Sequence, residues 1–473
     1  MDMSAQYSLK SAIFYARPRS TSDVLPVVYG DMTIGGSGGQ WVIPCIDTDN
    51  RIYAVSGQPI LSVADGNSIT IYNQNGEVLG GYVFDESNSV ESNGNIAIIT
   101  FPTKTASTIS FDATDNSIND SSAGLAVATN CYVVVTGATN SENNSTFKII
   151  RATASKWVLD GERSVTTESA GASIILNLDQ SSNEPLSARG KGRAIGAALI
   201  VNPITQIEDF IVNLVPDGAQ EDFDSTCLER ARNICSELGY ESAGAIDSNQ
   251  SIGTIVSEII SCFLGSWYIG PSGKIILSID QGASILNESM LCASFAASAT
   301  EDANIEANVN NLCNQVRAHY AYNYATQEYN STDEGTLTAN GFVRSLYGDQ
   351  TRDFYWKWVR SPVVVAALQS LIVSMYATPV RIYTVYQGSF ENIPLVRGDF
   401  VLMSCRWILN ESGGQLINQI ARIIGIQQDF NSHRIEFRLM DMKVFKTVAY
   451  LADGAISAGG VVMAGGERDL TEY

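Results

Sequence analysis

The sequence has little of what most catalytic and metal sites need. Only two histidines occur in 473 residues, and the eight cysteines include no pair at the two-residue gap that metal-binding loops use. No apolar run reaches the roughly 18 residues of a membrane span, and the start lacks a basic segment followed by an apolar run. We therefore expect neither a membrane span nor a signal peptide, and a chain without disulfides, folded in a reducing cytoplasm.

Positive charge is also scarce. The 29 Lys and Arg residues stand against 50 Asp and Glu, which gives a formal net charge of −21. Proteins that grip nucleic acid neutralise phosphates with clustered Lys and Arg, so this balance argues against nucleic-acid binding as the main activity. An acidic wall would instead suit a conduit along which DNA passes without specific binding.

The two histidines lie in plain structural contexts. His319 falls within an alternating strand pattern and His433 in a predicted hairpin turn. Neither is flanked by a nucleophile-elbow pattern, so we predict no catalytic residues and no enzyme activity. A glycosidase pair of carboxylates stays open as an alternative, because two acidic groups across a cleft cannot be recognised in a linear sequence.

Two short motifs have some of the features of ligand-binding loops. The glycines at 35, 36, 38 and 39 are not followed by the Gly-Lys-Ser or Gly-Lys-Thr of a phosphate loop, so we predict a mobile loop between strands. Asp47, Asp49 and Asn50 resemble the start of a calcium loop but lack its glycine and its closing glutamate. We predict no cofactor-binding and no metal-binding residues here.

Hydrophobic residues make up 45% of the chain, enough for two to four globular domains. Short alternating stretches such as 68–72 predict a β domain over residues 1–84, joined by four or more strands over about 380–450. Residues 85–186 are rich in Asn and Ser and predict an inserted small all-β module. The basic segment 187–200 predicts a linker or an ordered loop lying on a partner, with a nucleic-acid signal as the alternative.

Between residues 201 and 379 the apolar period changes to that of helices. Asn202-Pro203, Asp224 or Ser225, Ser251 and Ser361-Pro362 are predicted helix starts, and Gly239 a helix end. A hairpin around residues 267–279 and a strand over 316–324 make this an α+β domain. The predicted fold is thus multidomain and mainly β with α+β, with barrel or sandwich domains and a flexible tail over 451–473.

Several motifs in order resemble one family. They are Leu25-Pro26-Val27-Val28-Tyr29-Gly30-Asp31 with the glycine run and Trp41 to Cys45, Val201-Asn202-Pro203, Phe223 to Gly244, Ser257 to Leu277, Asn314-Gln315-Val316, Ser345 to Gly348, Tyr376 to Pro379, and Val396-Arg397-Gly398-Asp399-Phe400-Val401-Leu402 with the strands after it. This series resembles the tail-tip, or baseplate, hub proteins of long-tailed bacteriophages. Residues 104–178 also resemble a β module found in phage tail proteins.

The resemblance implies a virion protein at the tail tip, assembled in the host cytoplasm. It implies a homotrimer whose β domains continue the tube wall and whose α+β domain narrows or closes the DNA exit channel. The implied partners are the distal tail protein ring or tube end, the central fibre and the tape measure protein. Because the chain ends at Tyr473, soon after the last strand, we expect host recognition to lie in a separate fibre protein.

Three alternatives remain open at this stage. The Asn- and Ser-rich module at 85–186 would bind a receptor or carbohydrate, or the chain would be a cell-wall hydrolase carried on a tail. Some tail-tip proteins hold an iron-sulfur cluster, and five cysteines in the α+β region would have to converge to do so. They are Cys227, Cys235, Cys262, Cys292 and Cys313. Lone buried cysteines, however, are common as small apolar residues.

Overall fold

The computed structural model describes most of the chain between residues 25 and 442. The described residues are 25–35, 38–47, 51–73, 75–91, 94–171, 173–179, 186–248, 250–270, 272–280, 291–295, 300–308, 312–335, 341–377, 379–387, 395, 397–409, 415–429 and 434–442. The predictions for His433, for Asp49 and Asn50 and for the tail at 451–473 lie outside them. Among the described residues no helix is long and apolar enough to cross a membrane.

The first β domain begins with eight short strands. Alternating apolar residues such as Trp41 and Ile71 are fully buried, as expected for strands with one face in a core. The strands are β1 (Val27–Tyr29), β2 (Trp41–Ile43), β3 (Cys45–Asp47), β4 (Ile52–Ser56), β5 (Thr70–Tyr72), β6 (Val78–Leu79), β7 (Val83–Glu91) and β8 (Gly94–Thr100).

An inserted module follows as one seven-stranded sheet in the order β10-β11-β14-β13-β12-β15-β9. All its described pairings are antiparallel, and its inward side chains, including Phe111 and Trp157, share a core with the first domain. Its strands are β9 (Thr103–Ala106), β10 (Ile109–Asp112), β11 (Ser117–Asp120), β12 (Tyr132–Thr136), β13 (Thr146–Ala152), β14 (Lys156–Leu159) and β15 (Ile174–Asp179).

The chain then returns to the first domain through β16 (Leu186–Arg189), β17 (Ala194–Ile195) and β18 (Ala198–Leu199). β16 pairs with both β2 and β5, which completes the sheet β2-β16-β5-β6. The second sheet has the order β3-β4-β8-β7. The prediction of a linker at 187–200 is therefore wrong: its first residues lie inside a sheet, and Gly192 packs against the backbone of Val28 in β1.

The α+β domain starts with three helices and confirms the predicted caps. The side chains of Asn202, Asp224 and Ser251 accept hydrogen bonds from backbone amides in the first turns, and Gly239 lies past the second helix at φ +64°. The elements are α1 (Pro203–Asp209), continued by a π-helical turn (Phe210–Leu214), α2 (Ser225–Glu237), β19 (Gly244–Ile246), α3 (Ile252–Ser261), β20 (Gly265–Ile269) and β21 (Ile275–Ile279).

Two strands of another sheet interrupt this domain before it ends. These are β22 (Leu291–Phe295) and β23 (Thr300–Asn308). The domain resumes with β24 (Gln315–Asn323), β25 (Glu328–Glu334), α4 (Gly341–Tyr347), β26 (Thr351–Tyr355) and α5 (Pro362–Tyr376). β24 lies between β25 and β26, and α5 packs through Val365 and Leu368 into the same core as Val316 and Ala318 of β24.

The last region forms a six-stranded half-barrel in the order β22-β28-β29-β30-β27-β23. Its later strands are β27 (Val380–Gln387), β28 (Phe400–Leu409), β29 (Gln415–Asp429) and β30 (Arg434–Asp441). The prediction of a multidomain, mainly β fold with an α+β part is confirmed.

Two boundaries differ from the predicted domains. Strands β7 and β8 join the first domain through β4, although 85–186 was assigned to the module. Strands β22 and β23 join the half-barrel, although 201–379 was assigned to the α+β domain. The physical reason is the same in both cases, because pairing between distant strands leaves no trace in the local apolar period.

Candidate functional site

Arginines cross each junction between the domains, although the chain has few basic residues. We call Arg51, Arg193, Arg360 and Arg422 the junction arginines. Each has its backbone in one domain and hydrogen-bonds or ion-pairs with a group in another.

Arg193 joins the first β domain to the α+β domain. It forms a two-pronged ion pair with Asp209 of α1, whose carboxylate also accepts a hydrogen bond of 2.7 Å from the Tyr29 hydroxyl. Burial and the nearby carboxylate raise the pKa of Tyr29 well above its usual value, so the phenol stays a donor. β1, which carries Tyr29, pairs antiparallel with β19 across the same junction.

Arg360 also lies at this junction, beside Gly35 and Gly39 of the glycine run. Its side chain is 1% exposed, and it donates hydrogen bonds of 2.9 Å to the carbonyl oxygens of Ile34 and Tyr322. Within the described residues no carboxylate pairs with it, and burial lowers its pKa to about 10. Gly39 passes so close that an added Cβ would lie 2.9 Å from an Arg360 nitrogen. Gly39 therefore leaves room for the guanidinium of Arg360, a cation that belongs to the chain.

The half-barrel meets the α+β domain through two ion pairs. Arg422 of β29 pairs with Asp280, and it is largely buried, which lowers its pKa to about 10. Arg230 of α2 pairs with Asp399 at 2.9 Å. Gly398, next to that aspartate, lies against Ser278 of β21. The Arg-Gly-Asp part of the 396–402 motif is thus a contact between domains.

Arg51 ties the module to the first domain. Its guanidinium donates to the Leu178 carbonyl at 2.6 Å and to the Thr103 hydroxyl at 2.5 Å. Arg51 itself has φ +54°, an uncommon conformation for a residue other than glycine. The contact therefore fixes where the module leaves and rejoins the first domain.

The three basic side chains of the segment 187–200 all bind groups within the molecule. Arg189 donates to the Thr33 carbonyl at 2.7 Å, Lys191 donates to the Gly66 carbonyl at 3.2 Å, and Arg193 pairs as described above. A nucleic-acid signal would need these groups to reach phosphates in solvent. The structure instead assigns the segment to the packing of the first domain.

The aromatic residues around β24 divide into two groups. Tyr324, Trp356 and Trp358 are at most 2% exposed and belong to the core, whereas the Tyr355 side chain is 61% exposed. His319 stacks on Tyr355 with ring centroids 4.6 Å apart. Four rings, those of His319, Tyr322, Tyr329 and Tyr355, form a cluster on the open side of the sheet, which we call the aromatic face.

Of the cysteines in the α+β region, Cys227, Cys235, Cys262 and Cys313 have described side chains and form no disulfide. No group of three or more potential metal ligands occurs among the described residues. Burial raises the thiol pKa of Cys235 and Cys262 to about 12, so both stay protonated at neutral pH. Protonated thiols of this kind are poor metal ligands.

Comparison with known proteins gives structural neighbours only. No family model and no curated protein matches the chain. A prophage tail protein, gp18, from Listeria monocytogenes EGD-e has 11% identity and a TM-score of 0.27 over 82% of this chain and 99% of its own. A 43 kDa tail protein of prophage MuSo2 from Shewanella oneidensis has 9% identity and a TM-score of 0.29 over 80% and 99%. At these TM-scores the two similarities carry no argument about this chain.

Proposed function

We propose that the chain is a structural protein of a bacteriophage tail, namely the hub at the tail tip. In this proposal a homotrimer joins the distal tail protein ring to the central fibre, contacts the tape measure protein, and lines or closes the DNA exit channel. The protein would act through interfaces and symmetry rather than through catalysis.

One observation carries the proposal: the first and the last of the motifs that resemble the hub family lie at domain junctions. Gly30 of the first motif lies against Ser242, where an added Cβ would meet the backbone oxygen at 2.1 Å. Gly398 of the last motif lies against Ser278, where an added Cβ would lie 2.4 Å from the serine hydroxyl oxygen. These motifs therefore resemble the hub family at positions that fix how the domains are arranged. A component at the end of a tube has to preserve that arrangement.

The junction arginines support a rigid unit. Opening a junction would leave buried charges such as Asp209 and Arg422 without their partners, which costs several kcal/mol per ion. Domains joined in this way move together, as subunits of a tube wall must. The net charge of −21 suits a channel past which DNA slides.

The test is the location and stoichiometry of the chain. Purified protein mixed with the distal tail protein should form a ring-shaped or trimeric complex, measured by light scattering after size-exclusion chromatography. Particles labelled on this chain should show the label at the distal end of the tail. A label elsewhere on the particle would contradict the hub assignment.

A separate experiment addresses the absence of enzyme activity. The full chain is incubated with purified peptidoglycan, and soluble fragments are measured by mass spectrometry. We expect none above the level of a heat-denatured control. Release of fragments would favour the cell-wall hydrolase instead.

A further inference from the structure

We propose that the aromatic face of the three-stranded sheet binds an uncharged saccharide. This goes beyond the proposed structural role, and it concerns a surface remote in sequence from the module at 85–186. The aromatic face carries one exposed ring, that of Tyr355, beside three half-buried rings, and the opposite side of the sheet is covered by α5.

Two rows of polar groups cross the sheet. In the first row Arg317 lies between Glu334, at 2.9 Å, and Asp353, at 3.4 Å. In the second row His319 lies between the Thr332 hydroxyl, at 3.1 Å, and the stacked ring of Tyr355. The strand register places both rows on the same side of the sheet.

The rings form one end of this surface. Tyr329 lies 5.6 Å from Tyr355 and 4.9 Å from Tyr322 between ring centroids. Lys357 lies beside the cluster, 5.5 Å from the Tyr322 centroid, and is paired with Glu258 at 3.2 Å. An apolar platform thus adjoins rows of donors and acceptors.

This combination matches the chemistry of a sugar. A pyranose has a flat face of C–H groups that packs on an aromatic ring, and a rim of hydroxyls that hydrogen-bond to carboxylates and hydroxyl groups. The exposed Tyr355 offers the ring, while Asp353 and Thr332 offer the polar partners.

Charge narrows the class of ligand. Arg317 is already flanked by two carboxylates, the His319 ring lies 3.4 Å from one of them, Asp353, and Lys357 is paired with Glu258. No basic group of this set is therefore left for a phosphate or sulfate. A polyanion would be repelled by Asp353 and Glu334. A wholly apolar partner would bury these paired charges at a cost. An uncharged, hydroxyl-rich ligand would be neither repelled by the carboxylates nor costly to place over the paired charges.

The experiment uses the full chain and a panel of soluble tetrasaccharides. Chitotetraose, maltotetraose and cellotetraose are the uncharged probes, and a heparin tetrasaccharide is the anionic one. Binding is measured by isothermal titration and by saturation transfer in NMR. We expect saturable binding of at least one uncharged probe and weaker or no binding of the anionic one.

Variants locate the site. Tyr355→Ala should raise the Kd about tenfold, whereas Tyr355→Phe, which keeps the ring, should change it less than about threefold. Tyr132→Ala, a half-buried tyrosine on the outer side of the module, is the matched control and should leave the Kd unchanged. Circular dichroism and thermal melting verify that each variant is folded.

Four results would overturn the proposal. They are no saturable binding of any uncharged probe, tighter binding of the anionic probe, loss of binding in Tyr132→Ala, and retention of binding in a folded Tyr355→Ala. None of these depends on where the chain lies in a particle. The proposal therefore stands or falls separately from the tail-tip assignment.

Discussion

Replacing Arg193 by methionine removes the cation that joins the first β domain to the α+β domain. Methionine keeps an unbranched apolar side chain, so the main loss is the ion pair with Asp209, whose side chain is 4% exposed. Removing one partner of a buried ion pair costs about 3–5 kcal/mol, because the remaining charge is left uncompensated. The Tyr29 and Asn213 hydrogen bonds to Asp209 stay in place and favour the lower end of this range.

The loss of stability in Arg193→Met should appear at the junction before it appears elsewhere in the chain. A loss of 3–5 kcal/mol in a unit of this size lowers its melting temperature by roughly 6–20 °C. Because a multidomain chain need not unfold in one step, hydrogen exchange of the β1 and β19 amides supplies the local measurement. We expect these amides to exchange faster in Arg193→Met than in the parent chain.

A matched substitution at an exposed ion pair is the control. Arg344 and Asp349 are about half exposed, and Arg344→Met should cost much less stability than Arg193→Met. Adding Asp209→Asn to Arg193→Met removes the uncompensated charge and should restore part of the stability. The reasoning is refuted if Arg193→Met costs no more than Arg344→Met, or if the double variant is less stable than Arg193→Met alone.

Three further predictions concern pH, packing and thiol reactivity. Burial acts to raise the pKa of Asp120, but hydrogen bonds from Lys104, Thr108 and Ser122 outweigh it and hold this pKa well below its usual value. The ionised carboxylate therefore stabilises the module above about pH 4, and this stabilisation is lost as the pH falls further. Thermal melts between pH 5 and pH 2 should show this loss, and Asp120→Asn should reduce the pH dependence. Gly39→Ala would place a Cβ 1.8 Å from the Met32 carbonyl oxygen and should cost at least about 1–3 kcal/mol in urea unfolding, whereas Gly161→Ala, with open space around it, should change little. Cys235 and Cys262, whose pKa burial raises to about 12, should react with iodoacetamide at pH 8 far more slowly in the native chain than in urea, and equal rates by mass spectrometry would contradict their burial.

Local signals in the sequence determined where α1, α2 and α3 begin. A capping side chain satisfies backbone amides within the next three residues, so Asn202, Asp224 and Ser251 could be recognised as helix starts without any tertiary information. Gly239 ended α2 for an equally local reason, its positive φ. The alternation of β24 was likewise legible, because β-strand period depends only on neighbouring residues.

Tertiary structure alone decided the junctions and the aromatic face. Arg360 finds its acceptor at Ile34, 326 residues away, and Arg193 finds Asp209 on another element, so neither partner could be read from composition or spacing. The same holds for Tyr329, which reaches Tyr355 only because β25 and β26 flank one strand. Periodicity records which side of an element is buried, whereas the identity of the partner depends on how distant elements pack.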